Sequence, residues 1–437
     1  MTRFPPGPKS RYPGSGYFQF RKDPLGFLES LAREFGDIAG WKIGRQHCVF
    51  VNHPDFIHDV LVTNGHKFLS GLERAKRLLG EGLLTSDGEL HRSHRRIMQP
   101  AFNHGRIATC AETIAREAER ARNRWGNGTP LNMANEMMRL TLIAVARTLF
   151  GADLESEAGE IGTALAATMG SPPNMMLPFG YLVEILPLPA IRKMKAGRAR
   201  LNETVYRLMN ERRGNEEADL LSMLLQAQHG TPGMTDEQVR DEVMTILIAG
   251  HDTTSTALSW TWYLLSQHPE VEARLHDELD KVLDGRLPTF HDMPALAYTE
   301  SVVRESMRVY PPVWTMWRRA VADHRINGYV APAGSLVVMS QHVMHRDPRY
   351  FSDPPRFDPE RWTPEFKASL PKYAYFPFGG GSRRCLGEGF AWMEAILVIA
   401  TFAQQWKFRM ASGDPVVPRL LFTQRPRDGL TMTALPR

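Results

Sequence analysis

The segment FPFGGGSRRCLGEGFA, residues 376–391, holds Cys385, one of only three cysteines among the 437 residues. A cysteine side chain binds a metal or attacks a substrate only as the thiolate. Arg383 and Arg384 are cationic, and the residues after Cys385 have the pattern of a helix, whose free N-terminal N–H groups also favour negative charge. We therefore expect a thiolate at Cys385, with Gly387 and Gly389 keeping the helix start slim enough for a flat group to approach.

Several interpretations of this loop are open. A buried, inert thiol is common, but it leaves the surrounding glycines and arginines unexplained. A dinucleotide-binding loop is disfavoured, because the residues three positions after Gly381 and Gly389 are not glycines. A nucleophilic cysteine requires a histidine near it in the fold. A thiolate ligand to haem iron would use the glycines to admit the porphyrin and an arginine to bind a propionate.

A second chemically suggestive group lies inside an apolar segment, residues 235–268. Thr235 and Gln238 form a capping box and Pro269 marks the end, which predicts one helix spanning roughly 50 Å. Asp252 and Thr253 interrupt its apolar centre, although a buried polar group without a partner costs roughly 2–7 kcal/mol. An acid beside an alcohol can relay protons into a dry pocket, and a helix kink with a solvated polar face is the alternative.

Composition excludes several other classes of protein. Lys and Arg outnumber Asp and Glu by 53 to 48, and no basic run with interleaved aromatic residues points to nucleic acid. The cysteines at 48, 110 and 385 are far apart, which argues against disulfides and structural zinc and favours a reducing, cytoplasmic setting. Neither a signal peptide nor an apolar run long enough for a transmembrane anchor is visible.

The order of the sequence patterns predicts a mainly α fold with a smaller β-rich portion, in a single domain over residues 1–437. Residues 1–20 are expected to be an extended lead-in, residues 41–51 a strand, and residues 54–290 mostly helix. β-Hairpins are expected within residues 314–340, followed by an irregular stretch over 345–372. The cysteine loop, a helix and short strands complete the chain.

These patterns together resemble the cytochrome P-450 superfamily of haem-thiolate enzymes. Its haem-binding signature, Phe-x-x-Gly-x-Arg-x-Cys-x-Gly, is matched at every fixed position by Phe378, Gly381, Arg383, Cys385 and Gly387. Its central-helix motif is matched by Ala249, Gly250, Asp252, Thr253 and Thr254. Its structural ion-pair triad is similar to Glu305, Arg308 and Arg361. The wording of both motifs is similar to soluble bacterial members close to fatty-acid hydroxylases and to microsomal forms.

The resemblance implies haem b between the long central helix and the cysteine loop, with the Cys385 thiolate as axial ligand to the iron. Phe378 would pack beside the sulfur. The residues implied in contact with haem or its propionates are His91, Arg95, Ala249, Arg383, Gly387 and Arg318, with Arg319 as the neighbour that could replace Arg318. Asp252 and Thr253 would deliver protons during the activation of O₂.

The implied activity is monooxygenation: one atom of O₂ enters a small lipophilic substrate, such as a fatty acid, terpenoid or steroid. The chain continues for only about 50 residues beyond Cys385, so no fused reductase domain is expected. Electrons would come from a separate ferredoxin or flavodoxin with its NAD(P)H reductase, and Arg384 would help to dock such an acidic partner. A haem-thiolate peroxygenase or rearrangement enzyme and a haem-based sensor are the alternatives. The expected pocket segments are residues 68–84, residues 163–189 and the residues after Pro312.

Overall fold

A computed structural model describes residues 3–9, 14–73, 75–169, 188–214, 219–230 and 233–437. Most of residues 163–189, one of the expected pocket segments, therefore lies outside the described residues. The described chain is mainly helical with a smaller β-rich portion, as the sequence predicts. No described helix is both long and apolar enough to cross a bilayer.

The longer helices span Ser15–Lys22, Pro24–Phe35, Gly88–Met98, His104–Arg122, Met133–Leu149, Ala158–Met169, Pro189–Arg212, Asp236–Gln267, Pro269–Leu283, Ala297–Val309 and Glu388–Ala403. Shorter ones span Pro54–His58, Lys76–Leu79, Leu220–Gln226, Gln341–Met344 and Pro364–Ser369. The strands are β1 Ile38–Ile43, β2 Gln46–Val51, β3 Phe68–Leu69, β4 Pro130–Asn132, β5 Met316–Ala320, β6 His324–Ile326, β7 Tyr329–Ala331, β8 Leu336–Met339, β9 Trp406–Met410, β10 Pro418–Leu420, β11 Gln424–Pro426 and β12 Thr431–Pro436.

The helix Asp236–Gln267, called the central helix below, has 32 residues and begins with the predicted capping box. The Thr235 hydroxyl accepts a hydrogen bond from the Gln238 backbone N–H, and the Gln238 side chain accepts one from the Thr235 N–H. Trp260 and Trp262 point to opposite sides of this helix, and both are almost fully buried. The helix therefore lies inside the largest hydrophobic core. Its length and burial make it the support against which the other helices pack.

The five-stranded sheet has the order β1-β2-β8-β5-β3, in which only β2 and β8 run parallel. The strands β4, β12 and β9 form a second sheet, and β6–β7 and β10–β11 are separate hairpins. Asn327 and Gly328 join β6 to β7 with positive φ angles of 46° and 78°, as the Asn-Gly pair in the sequence predicts for a type I′ turn.

Two predictions near the N-terminus were wrong. Residues 15–20 are not extended, because Ser15–Lys22 is a helix that packs Tyr17 and Phe20 into the protein. The spacing of these two aromatic residues was the available signal for a helix. Residues 41–51 form parts of two antiparallel strands, since Gly44, at φ 59°, turns the chain between β1 and β2.

The helix Ala297–Val309 carries the buried carboxylate of Glu305. Glu305 accepts hydrogen bonds from Arg308 at 2.8 Å on each oxygen, from Arg361 at 2.8 Å and from the Trp362 indole at 2.9 Å. Glu305 and Arg308 are fully buried. The remaining Arg308 N–H groups donate to the carbonyls of His345, Pro354 and Arg356. These contacts tie the irregular stretch 345–362 to the helix.

We expect Glu305→Gln to lower the free energy of unfolding by about 3–5 kcal/mol, because it leaves buried guanidinium groups of Arg308 and Arg361 without a counter-charge. The matched control is Glu300→Gln, which removes a half-buried pair with Arg304 on the same helix and should cost below about 1 kcal/mol. Urea unfolding followed by circular dichroism measures both. Equal losses in the two variants would contradict the role given to Glu305.

Candidate active site

A cavity of about 1650 Å³ lies between the central helix and the cysteine loop. Its walls include Thr245, Ile246, Ala249, Gly250, Thr253, Thr254 and Ala257 of the central helix. The facing wall includes Phe378, Gly379, Cys385, Leu386 and Gly387 of the loop. Ser70 to Glu73 and Pro312 to Arg319 also line it, so two of the three expected pocket segments are confirmed as cavity walls.

Cys385 lies at the cavity wall just before the helix Glu388–Ala403, which we call the cysteine helix. All three cysteines are described, and only this one lines the cavity. The Cys385 N–H donates to the Phe378 carbonyl at 2.9 Å, which closes the loop. Cys385 is exposed and lines the cavity. Desolvation by the surrounding protein raises the pKa of its thiol to about 11, although the Gly387 N–H and Arg95 act in the opposite direction.

Nearby arginines thus lower the pKa of the Cys385 thiol, as predicted, but desolvation raises this pKa by more. Arg384 is paired with Glu388 of the cysteine helix at 2.5 Å, so much of its charge is compensated. A bound metal cation deprotonates a coordinating thiol outright, so a cation bound at this wall would make Cys385 a thiolate at neutral pH.

Three of the loop's glycines have a different function from the predicted one of admitting a flat group. At Gly381, which has φ 66°, a Cβ would lie 1.8 Å from the Leu61 carbonyl oxygen, and at Gly380 it would lie 2.5 Å from the Tyr373 ring. At Gly389 it would approach Ile107 at 3.0 Å. These three glycines allow close protein packing, and among the loop's glycines only Gly379 and Gly387 line the cavity.

Cationic side chains gather at one edge of the cavity. Arg95 lies on the helix Gly88–Met98 and donates to the Arg384 carbonyl at 2.8 Å. Arg383 is bonded to the Asp87 carboxylate and to the Ser86 carbonyl. Arg318 is buried, and burial together with Arg383 lowers its pKa to about 10. In the described part of the chain, neither Arg95 nor Arg318 has a carboxylate within 4.0 Å, so two positive charges in this cluster are uncompensated.

His91 lies beside these arginines, one helical turn before Arg95. Burial, and then the charges of Arg383 and its neighbours, lower the pKa of His91 to about 4. His91 is therefore neutral at physiological pH, and it can donate one hydrogen bond without adding charge.

The structure distinguishes Arg318 from Arg319 by the partners of their side chains. Successive side chains of a strand point to opposite faces, and on β5 the Arg319 guanidinium is bonded to Glu73 at 2.6 Å and to Gln46 at 3.0 Å. Among the residues that the structure describes, the Arg318 guanidinium donates only to the Trp317 carbonyl, and it belongs to the cationic cluster.

Of the predicted pair Asp252 and Thr253 in the central helix, only Thr253 lines the cavity. Its hydroxyl donates to the Ala249 carbonyl at 2.7 Å. The Asp252 carboxylate is buried and turned away from this wall, where it pairs with Arg425 and accepts a hydrogen bond from Thr423 at 2.9 Å. The structure therefore does not bring Asp252 and Thr253 to the same surface.

Residues 5–433 match the family model described as Cytochrome P-450. The chain belongs to this family. Cyclooctatin synthase of Streptomyces melanosporofaciens is 39% identical over 425 residues, which cover 95% of this chain and 90% of that protein. Cyclooctat-9-en-7-ol 5-monooxygenase of the same organism is 38% identical and covers 89% of this chain and 86% of its own length. The solved structure of retinoic acid-bound cyanobacterial CYP120A1 has a TM-score of 0.88 over 100% of both chains, at 25% identity.

This protein is thus a haem-thiolate monooxygenase with the cytochrome P-450 fold. Enzymes of the P-450 family bind iron protoporphyrin IX through a cysteine thiolate, and as monooxygenases they use O₂ and electrons from a redox partner.

The cavity fits iron protoporphyrin IX. It combines one cysteine thiol with apolar walls, and its two uncompensated positive charges match the two carboxylates of a porphyrin.

Sequence reasoning missed several residues of this P-450 site. Asp87 and Arg425 were not predicted, because their partners Arg383 and Asp252 are far away in the sequence. Glu394, in the apolar stretch after the cysteine loop, was not predicted either. It is fully buried in the cysteine helix, and burial raises its pKa to about 8, although nearby Thr254 lowers it in part. Neither carboxyl oxygen has a well-formed hydrogen bond to a described group.

We expect Arg318→Gln to weaken haem binding roughly tenfold or more, because a charge-assisted hydrogen bond to a propionate is lost. Haem transfer to an excess of a competing apoprotein measures the loss. Arg319→Gln is the matched control and should bind haem almost normally, because Arg319 faces Glu73. The assignment of Arg318 to the haem edge is wrong if the two variants release haem at the same rate.

We also expect the protein to lose stability as the pH rises towards 8, because of Glu394. Its pKa is higher in the folded state than the ordinary 4.5, so between these values the folded protein holds a proton that the unfolded chain has lost. The free energy of unfolding then falls by at most about 1.4 kcal/mol per pH unit from this group.

Glu394→Gln should remove this part of the pH dependence. The free energy of unfolding of the variant, relative to that of the natural protein, should therefore rise from pH 5 to pH 8. Urea unfolding at four pH values measures the trend. Glu112→Gln, at an exposed pair with Arg116, is the control. Parallel stability curves for Glu394→Gln and the natural protein would show that Glu394 ionises normally.

Proposed function

We propose that Cys385 is the axial ligand of the haem iron and that this P-450 enzyme oxygenates a compact, ring-containing terpenoid. The observation that carries the proposal is that the Cys385 thiol and the Thr253 hydroxyl line one cavity from facing walls. In this arrangement His91, Arg95, Arg318 and Arg383 hold the propionates. Phe378 would pack beside the sulfur, and Ala249 and Gly387 would contact the bound haem from the two cavity walls to which they belong.

Bound haem supplies the iron at which O₂ is activated, and the protein's own residues control water and protons around it. The apolar walls exclude bulk water from the substrate. Thr253 holds its proton against the Ala249 carbonyl and has its oxygen free to accept or orient a proton donor. Asp252 is the acid that delivers protons towards Thr253 from behind the cavity wall.

The cavity supports a bulky lipophilic substrate. Apolar residues dominate the part beyond the haem edge, among them Leu83, Leu84, Ile246, Val313, Leu421 and Phe422. One similar protein is named for oxygenation of cyclooctat-9-en-7-ol, by its name an unsaturated cyclic alcohol. Of the three lipid classes that the sequence suggests, a cyclic terpenoid is closest in chemistry to that compound, so we propose it ahead of a fatty acid or steroid.

We propose that the electron donor is a small acidic ferredoxin or flavodoxin, reduced by its NAD(P)H reductase. A surface groove behind the haem edge is lined by Arg92, Arg95, Arg96, Gln99 and Ser382, among other residues. Within the described chain Arg92 is paired with Glu89, but Arg96 has no carboxylate within 4.0 Å. The uncompensated charge of Arg96 suits the acidic surface of such a partner. We therefore propose Arg96, in place of the paired Arg384, as the principal docking residue. The three free thiols fit the expected cytoplasmic setting.

We expect the enzyme, reconstituted with a ferredoxin and its reductase, to form an oxygenated product from cyclic terpenoids in an NADPH-dependent reaction. Thr253→Ala should lower the product formed per NADPH on the order of tenfold, because protons are no longer directed at the reacting oxygen. Thr261→Ala is the matched control: its hydroxyl makes the same bond to the residue four positions earlier, at 2.8 Å, but away from the cavity.

The panel of substrates should contain cyclic terpenoids, steroids and fatty acids of similar size, with binding followed by the haem absorption shift. Turnover of fatty acids alone would contradict the proposed substrate class. Equal coupling in Thr253→Ala and Thr261→Ala would contradict the role of Thr253, and product formation from hydrogen peroxide alone would favour a peroxygenase.

A further inference from the structure

The buried acid Asp252 is held by a part of the chain that is remote in sequence. The Arg425 guanidinium forms an ion pair with one carboxylate oxygen, and the Thr423 hydroxyl donates to the other at 2.9 Å. Arg425 also donates to the Thr423 hydroxyl at 3.0 Å, which closes a triangle of three side chains. Asp252 has a side-chain exposure of 1% and Arg425 of 17%, so water screens this pair weakly.

Arg425 is the cation that compensates Asp252. In the described part of the chain no other arginine or lysine lies within 4.0 Å of this carboxylate. The neighbouring His251 is fully buried, and neither ring nitrogen bonds to a described group. Burial lowers the pKa of His251; the Asp252 carboxylate opposes this shift and Arg425 adds to it.

Thr423 and Arg425 belong to residues 418–426, the C-terminal hairpin formed by β10 and β11. The same hairpin lines the cavity with Leu420, Leu421 and Phe422. One short element therefore contacts the space for the substrate on one side and the buried acid on the other.

The hairpin is fixed to other cavity walls by three hydrogen bonds. The Trp260 indole donates to the Gln424 carbonyl at 2.7 Å, and the Trp314 indole donates to the Leu421 carbonyl at 3.2 Å. The Gln424 N–H donates to the Pro312 carbonyl at 2.9 Å. These contacts hold Arg425 at a set place relative to the central helix.

We propose that Arg425, supported by Thr423, is a positioning residue that compensates the charge of the Asp252 carboxylate and holds it in one orientation between proton transfers. The inference rests on the proposed proton-delivery function of Asp252. Asp252 takes up a proton from solvent water and passes it towards Thr253, and Arg425 returns the carboxylate to the same place each time. No bond other than those to the moving proton is made or broken.

The test compares Arg425→Gln, Arg425→Lys, Asp252→Asn and the double variant Arg425→Gln with Asp252→Asn, all as haem-loaded protein with redox partner. We expect Arg425→Gln to lower the product per NADPH on the order of tenfold, with the missing electrons recovered as peroxide. Arg425→Lys keeps the charge and should restore most of the coupling. The double variant should be no worse than Asp252→Asn alone, since Arg425 acts through that residue.

A spectroscopic readout separates positioning from general damage to the fold. A buried carboxylate that has lost its cation takes up a proton, so Arg425→Gln should show an infrared band of a protonated carboxyl at neutral pH. Buried Glu394 holds a proton at neutral pH in every one of these proteins, so the readout is the additional band in the difference spectrum between Arg425→Gln and the natural protein. Arg425→Lys and the double variant should not show this additional band. Arg409→Gln removes another arginine–carboxylate pair, with Glu272, far from the cavity walls, and is the control for stability.

The outcomes distinguish the two levels of the proposal. If Asp252→Asn couples normally, the proposed function of Asp252 is wrong, and Arg425 has no acid to position. If Asp252→Asn is impaired while Arg425→Gln couples like Arg409→Gln and shows no carboxyl band, only the positioning function is overturned. Multiplying losses in the double variant would likewise show that Arg425 acts independently of Asp252.

Discussion

The buried cluster of Glu305, Arg308 and Arg361 is the interaction on which the active site depends. Two buried guanidinium groups share one carboxylate, and other N–H groups of both arginines donate to backbone carbonyls, among them those of His345 and Ser352. Such a cluster is stable only when every charge and every donor is satisfied. Its geometry therefore permits one arrangement of the irregular chain behind the cysteine loop, which has little regular structure of its own.

A continuous path of hydrogen bonds leads from this cluster to the ligand loop. Arg308 donates to the His345 carbonyl, and the His345 ring accepts from the Phe376 N–H at 3.0 Å. The Phe376 carbonyl accepts from the Gly379 N–H at 3.0 Å, and the loop then closes at Cys385. Burial lowers the pKa of His345 well below its ordinary value, so the ring stays neutral and able to accept. The position of the Cys385 sulfur thus depends on the charge cluster around Glu305, which lies on a different helix.

Sequence patterns predicted what depends on neighbours along the chain. Short local sequence motifs predict the central helix, its capping box, the Asn-Gly turn and the ligand loop. These motifs also indicate the P-450 family. Long-range partners could not be predicted in the same way. Thr423 is 171 positions from Asp252, and no spacing rule connects them. Arg318 and Arg319 differ by one position on a strand, where a single residue reverses the face, so only the fold distinguishes them.

The C-terminal hairpin has a consequence for how the enzyme can change. Leu421 and Phe422 shape the space for the substrate, while Thr423 and Arg425 on the same hairpin hold the buried acid. Substrate range and the efficient use of reducing equivalents are therefore not independent traits at this place. A mutation at the turn that admits a new molecule also shifts the support of Asp252, and the altered enzyme would have to regain its coupling through a second change elsewhere.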